Sequence, residues 1–175
     1  MSHRILVVCT ANVCRSPVIE AMLRERLDDS RYAVGSAGVR APVDRSMDPD
    51  SAEQLRVRGV EVPEHAARQL TRELVARADL VLTATRAHRS EVLDLDPRAL
   101  RRTFTALEFA GLADGIEADG FVALVAAAAA ARSTGPSDVD LVDPIGRSTQ
   151  VHAEVAARIE AAVTSIVTAL HRVGS

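Results

Sequence analysis

The 175-residue chain contains no lysine and no tryptophan. All 21 of its basic residues are arginine, and Asn12 is its only asparagine. Tyr32, Phe104, Phe109 and Phe121 are its only aromatics of the Phe, Trp and Tyr kind, and Cys9 and Cys14 its only cysteines. Each scarcity removes a chemistry. Without lysine there is no Schiff base, no pyridoxal-phosphate anchor and no lysine-bearing Walker-type phosphate loop. Two cysteines are too few for a four-thiolate zinc site or a disulfide framework. A net charge of −3 and four aromatics leave little for a nucleic-acid surface, so no nucleic-acid partner is expected. Long hydrophobic runs are missing too. Residues 5–8 are too short for the core of a signal peptide, and the alanine-rich stretch 121–131 is too short to span a bilayer. The expectation is a cytoplasmic protein with reduced cysteines and no membrane partner. Arginine in place of lysine reflects GC-rich coding.

What is present alternates between strand-like and helix-like patterns. Residues 5–8 form a β-branched apolar run, as in a strand buried on both faces. Ser16-Pro17 predicts a helix start with serine at the N-cap. A second strand is expected at 32–34, before the turn Ser36-Ala37-Gly38, and a helix from Asp48-Pro49 to 58, stopped by Gly59. Strands at 79–82 and 103–105 follow, with helices at 86–93 and 117–132 and an acidic loop at 135–143. The last helix carries an apolar stripe of Val151, Val155, Ile159, Val163, Ile166 and Leu170, with Glu154 and Arg158 as an i,i+4 pair. This alternation predicts one α/β domain over residues 1–175. Its architecture would be a three-layer sandwich: a four-stranded parallel sheet, helices on both faces and a phosphate-binding loop after the first strand.

The scarce residues gather in one place, Cys9-Thr10-Ala11-Asn12-Val13-Cys14-Arg15-Ser16-Pro17. Cysteine followed six positions later by arginine is a weak signal, since arginine is 21 of 175 residues. Context strengthens it: the cysteine ends a buried strand and the arginine precedes a helix, in the crevice where open α/β sheets bind ligands. Such a loop aims successive N–H groups, from Thr10 through Arg15, at one tetrahedral anion, helped by the helix N-terminus. Arg15 can bind two oxygens of that anion. The same field favours the thiolate of Cys9. A nucleophile beside a phosphate cradle is a phosphatase-like site.

From Val7-Val8-Cys9 through Pro17 and Glu20-Ala21, the chain closely resembles the low-molecular-weight protein-tyrosine phosphatases. The likeness continues through Ser36-Ala37-Gly38, Asp48-Pro49, Gly59 and His65 to Arg68-Gln69-Leu70, and resumes at Asp143-Pro144 and the last helix. The resemblance implies a protein-tyrosine phosphatase working without cofactor or metal. Cys9 would attack phosphorus, Arg15 and the loop would hold the equatorial oxygens, and Ser16 would stabilise the thiolate. An aspartate would serve as general acid and then base. Of the three Asp-Pro pairs, Asp48 suits a helix start and Asp96 a loop. Asp143 stands where the family carries its acid, with Asp138 and Asp140 as fallbacks. The resemblance also implies that Asn12 shapes the loop in a left-handed conformation, held by Ser36 and His65, and that Cys14 forms a reversible disulfide with Cys9. A phosphorylated protein is the implied substrate, with a tyrosine kinase as counterpart. His3, His88, His152 and His171 carry no assigned role.

The sequence departs from the family at Ala11, where glycine is usual. A positive φ there would cost alanine about 1 kcal/mol. It also lacks mouth aromatics, with Ile145-Gly146 and Val39-Arg40-Ala41 in their place, so that Arg40 and Arg147 would make the mouth basic. Thr83-Ala84-Thr85 replaces the family's Met-Asp pair, and residues 111–134 resemble an insertion. Three alternatives remain. A protein-arginine phosphatase is one, although that subfamily carries threonine at the position of Val13. An arsenate reductase is another, needing an external thiol because no cysteine follows Cys14. A non-catalytic phosphate-binding module is the third, though binding alone has no use for the thiol.

Overall fold

The computed structural model describes residues 2–173. Four parallel strands form one sheet in the order β2-β1-β3-β4: β1 (His3–Cys9), β2 (Tyr32–Gly38), β3 (Leu80–Thr83) and β4 (Thr103–Thr105). The helices are α1 (Arg15–Arg26), α2 (Pro49–Arg56), α3 (Arg72–Arg77), α4 (Arg86–Leu95), α5 (Ala106–Ala113), α6 (Phe121–Ala130) and α7 (Thr149–Val173). Short 3₁₀ turns occupy Pro97–Arg102 and Arg132–Thr134. The architecture is the α/β three-layer sandwich that the alternating pattern implies.

The two-residue period of β1 sorts its side chains between two cores. Ile5, Val7 and Cys9 join residues of α1, α5, α6 and α7 on one face. Leu6 and Val8 join Val75 and Val92, from α3 and α4, on the other. A strand covered on both sides is apolar throughout, which is why 5–8 reads as an unbroken run. Strand order reverses direction at β1, between its pairings with β2 and β3. The loop leaving β1 therefore opens at the sheet's carboxyl edge, where such folds bind ligands.

Several local expectations are corrected. β2 runs to Gly38, four residues beyond the β-branched signal, because β1 pairs with it register by register up to Cys9 opposite Gly38. Helix α1 begins at Arg15 with Cys14 at its N-cap and no side-chain cap; the hydroxyl of Ser16 turns to the sulfur of Cys9 instead. Helix α6 starts only after Gly120, whose φ of 93° breaks the alanine-rich run from the N-terminal side. Arg158 pairs with Asp138 at 3.0 Å, while Glu154 accepts from Gln150. Asp48 does cap α2, accepting from the Ser51 N–H, and Gly59 takes a φ of 71° just beyond it. The stretch 111–134 is packed into the molecule: Phe121, Leu124, Val125 and Ala128 are buried, and Phe121 stacks on His3 at 4.2 Å. Among the described residues no helix is long and apolar enough to cross a membrane.

Candidate active site

Residues 9–15 link the end of β1 to the first turn of α1. Their shape rests on Asn12, fully buried with φ 56°, the left-handed region that asparagine tolerates better than most residues. Asp44 is the other described non-glycine residue with positive φ, so Ala11 bears no such strain.

Asn12 is held through its whole side-chain amide and its backbone carbonyl. Its Oδ1 accepts the backbone N–H of Arg68 at 3.0 Å, which identifies the other atom as the amide nitrogen. That nitrogen donates to Ser16 Oγ at 2.9 Å and to Ser36 Oγ at 2.8 Å. Its carbonyl accepts from Nε2 of His65 at 2.6 Å. The two serine hydroxyls, having accepted from Asn12, direct their own protons onward. Ser36 donates to the carboxylate of Glu20, and Ser16 faces Cys9 Sγ at 3.0 Å. With Asn12 donating to it, the Ser16 hydroxyl keeps its own proton available for the sulfur.

The carbonyls of Cys9 and Thr10 accept from the N–H groups of Val39 and Arg40, fastening the loop to the turn after β2. That close approach requires glycine at 38, where a Cβ would lie 2.6 Å from the Thr10 carbonyl oxygen. The backbone N–H groups of Thr10, Ala11, Asn12, Val13 and Cys14 donate to no protein acceptor among the described residues. Backbone N–H groups without partners are rare in folded proteins, and a run of five leading into a helix N-terminus has the makings of an anion cradle.

Arg15 completes it. Its side chain is 5% exposed, with NH1 donating to the Leu141 carbonyl at 2.9 Å and NH2 lying 3.2 Å from Asp143 Oδ2. Its Nε is buried and has no hydrogen-bond partner. Asp143 is 43% exposed, with its other oxygen accepting from the Ile145 N–H. Asp138 is held by Arg158, and Asp140 by the backbone and guanidinium of Arg86. Burial pushes the Asp140 carboxyl up, but the Arg86 bonds outweigh it and hold it below the usual carboxylate range.

Both cysteines are free and buried. Burial pushes the Cys14 thiol up to about 12, against a hydrogen bond with Ser51. Val13 packs with Ala67 against the inner side of the loop. A cavity of about 250 Å³ opens beside it, lined by Val13, Arg45, Met47, Asp48 and Ile145 among others. At the mouth Arg40 is engaged by Glu91 at 2.7 Å, which tempers the basic character expected there, while Arg147 is exposed. Asp48, Asp50 and His152 bring possible metal-ligand atoms within 4.8 Å of one another, but Asp48 is already the cap of α2.

Three residues at the site carried no role in the sequence reading, the first of them Arg68, whose backbone N–H holds Asn12. Glu20 terminates the Asn12–Ser36 chain, and its position one turn into α1 was the available signal. His88 reaches Thr10 with Nε2 at 2.8 Å from a helix 78 positions away, beyond any local pattern.

Residues 4–119 match the family described as Low molecular weight phosphotyrosine protein phosphatase. The probable low molecular weight protein-tyrosine-phosphatase EpsP of Ralstonia nicotianae is 41% identical over 97 residues, covering 55% of this chain and 66% of the relative. This chain spans 62–67% of the length of the first curated relatives it matches. Among solved structures, the YwlE arginine phosphatase from Geobacillus stearothermophilus aligns with a TM-score of 0.77 and 27% identity, over 97% of this chain and 93% of that one. The Erwinia amylovora tyrosine phosphatase AmsI aligns with a TM-score of 0.78 and 26% identity, over 98% and 95%. The matched stretch holds the whole cradle from Cys9 to Arg15 with its supports Ser36, His65 and Arg68, and the chain belongs to the low molecular weight phosphotyrosine protein phosphatase family.

Proposed function

We propose that this protein is a cysteine-dependent phosphomonoesterase acting on phosphotyrosine in proteins through a phosphocysteine intermediate. The observation that carries the reading is a run of donors without protein partners: five successive loop N–H groups and, at the end of the same loop, the buried Nε of Arg15. A tetrahedral dianion would satisfy them together, and they would hold its equatorial oxygens as charge develops in the transition state.

In the proposed reaction the Cys9 thiolate, stabilised by the Ser16 hydroxyl, attacks phosphorus in line. The bond from phosphorus to the leaving oxygen breaks as Asp143 protonates that oxygen. Asp143 then takes a proton from water, the resulting hydroxide attacks phosphorus, and the sulfur–phosphorus bond breaks to release phosphate and thiolate. Asp143 is favoured over Asp138 and Asp140 because it alone of the three touches Arg15. Asn12, Ser36 and His65 keep the loop in shape.

The apolar Val13 beside the cavity supports an aryl rather than a guanidinium leaving group. The similarity to an arginine phosphatase makes phosphoarginine the second reading. We further propose a single domain over residues 1–175, a cytoplasmic setting in keeping with two free thiols, and a tyrosine kinase as functional counterpart.

The test compares the purified protein with Cys9→Ser on phosphotyrosine and phosphoarginine peptides. Hydrolysis of the first by the unaltered protein, abolished in Cys9→Ser, is the expected result. Preference for phosphoarginine overturns the substrate reading, and inactivity on both overturns the enzyme reading.

A further inference from the structure

Thr10 stands at the lip of the cradle, half-buried, with its hydroxyl 2.8 Å from Nε2 of His88 and 3.4 Å from NH2 of Arg15. His88 is buried in the first turn of α4, and its Nδ1 lies 3.0 Å from the hydroxyl of Thr85, the residue that caps the same helix. Burial, reinforced by the Arg15 guanidinium, pushes His88 down to about 4, so the ring is neutral and carries one proton. Arg40 adds to that effect, while Glu91 and Asp143 face the ring with the opposite sign.

The position of that single proton decides what Thr10 does. With the proton on Nε2, Thr85 donates to Nδ1, and both His88 and Arg15 donate to the Thr10 oxygen. Both lone pairs of Thr10 are then occupied, and its own proton points to a further acceptor. With the proton on Nδ1, Thr10 turns its hydrogen back to His88 and presents an oxygen lone pair toward an anion bound by Arg15. That contact is repulsive, whereas the loop N–H groups and Arg15 face the anion as donors. Anion binding therefore selects the first arrangement.

We propose that His88 is a positioning residue whose Nε2–H makes the Thr10 hydroxyl a further donor to the bound phosphoryl group. The inference rests on the phosphatase reading above and adds a donor that runs through a side chain rather than the loop backbone. The relay Thr85–His88–Thr10 gives α4, on the far face of the sheet from α1, a direct part in holding substrate.

The experiment measures kcat/KM on a phosphotyrosine peptide and competitive inhibition by inorganic phosphate. The variants are Thr10→Val, Thr10→Ser, His88→Leu, His88→Gln and the Thr10→Val/His88→Leu double. Thr10→Val is expected to lose about tenfold in both quantities, and Thr10→Ser to recover the larger part. His88→Leu should lose about fivefold, and His88→Gln, whose amide N–H can donate to Thr10, should recover most of that. The double variant should be no worse than Thr10→Val, because both changes remove one interaction. Losses that multiply, or a His88→Gln as impaired as His88→Leu, overturn the positioning role. Undiminished phosphate affinity in Thr10→Val overturns the donor role. Should His88→Leu fail to fold, ¹⁵N shifts of His88 in the phosphate-bound unaltered protein decide, and a ring protonated on Nδ1 overturns the proposal. Phosphate titration of Cys9→Ser with and without Thr10→Val reads the same contact without turnover, so failure of the phosphatase reading remains distinguishable.

Discussion

Asn12 commits its whole side-chain amide to protein partners, and this has consequences for neighbours that sequence spacing alone does not reveal. Its amide nitrogen donates to two hydroxyls, of which Ser36 donates onward to Glu20 and Ser16 faces the sulfur of Cys9. Residues 9–16 were legible because they are contiguous and built from scarce residue types. Ser36 and His65 came through resemblance, while the part of the Arg68 backbone and of His88 was hidden because only the fold brings them to the loop. Two predictions belong at this scale. Asp143→Ala should lose far more rate on phosphotyrosine, a poor leaving group, than on p-nitrophenyl phosphate, whose leaving group departs without a proton. Parallel kcat measurements check this, and equal losses would redirect the acid role to Asp138 or Asp140. Gly38→Ala places a methyl 2.6 Å from the Thr10 carbonyl, against backbone rather than a yielding side chain. It should destabilise the fold by about 1–3 kcal/mol and lower phosphate affinity, measured by denaturant unfolding and phosphate inhibition.

At the level of elements, the departures from expectation share one cause: tertiary contacts overrode local propensity. The Gly35-Ser36-Ala37-Gly38 segment is a poor strand former, yet it extends β2 because β1 offers it a complete ladder. Ser16 looks like an N-cap, yet its hydroxyl is claimed by Asn12 and Cys9. Helix α6 lies in the stretch that resembles an insertion, and its packing makes it part of the main core. Phe121 lies against His3 and Tyr32, bridging the insertion to the start of β1 and β2. Phe121→Ala should therefore cost about 3 kcal/mol or more, as core phenylalanines do, seen as a lower denaturation midpoint at unchanged m-value. Because Phe121 packs on His3 and Tyr32, at the ends of β1 and β2 remote from the cradle, kcat/KM measured well below the unfolding transition should change little. A large loss of activity with little loss of stability would instead give the stretch 111–134 a part in the site.

For the molecule as a whole, two buried groups of the site set opposite limits on stability. His88 is held near 4 in the folded state, first by burial and then by Arg15. The unfolded chain binds that proton near 6.5, so between those values the unfolded state carries the proton and the native state does not. Stability then rises with pH through this window and is lost on acidification. Cys14 works in the other direction. Its thiol is raised to about 12 by burial, so from about 9 upward the unfolded chain releases a proton that the native state retains, and stability falls as pH rises. Tyr32, also raised by burial, adds to the alkaline loss from about 10. Each unit of separation between folded and unfolded values is worth about 1.4 kcal/mol, and 1 kcal/mol moves the melting temperature of a chain this size by about 2–4 °C. The melting temperature should therefore form a plateau between about pH 6.5 and 9 and decline by several degrees on either side. His88→Gln should flatten the decline between pH 6.5 and 4, and Cys14→Ala the decline above 9. Melting curves across pH 4–11 check both limbs, and an acid limb left as steep by His88→Gln would shift that loss to the carboxylates held low by their partners, Asp28, Glu73, Asp96 and Asp140.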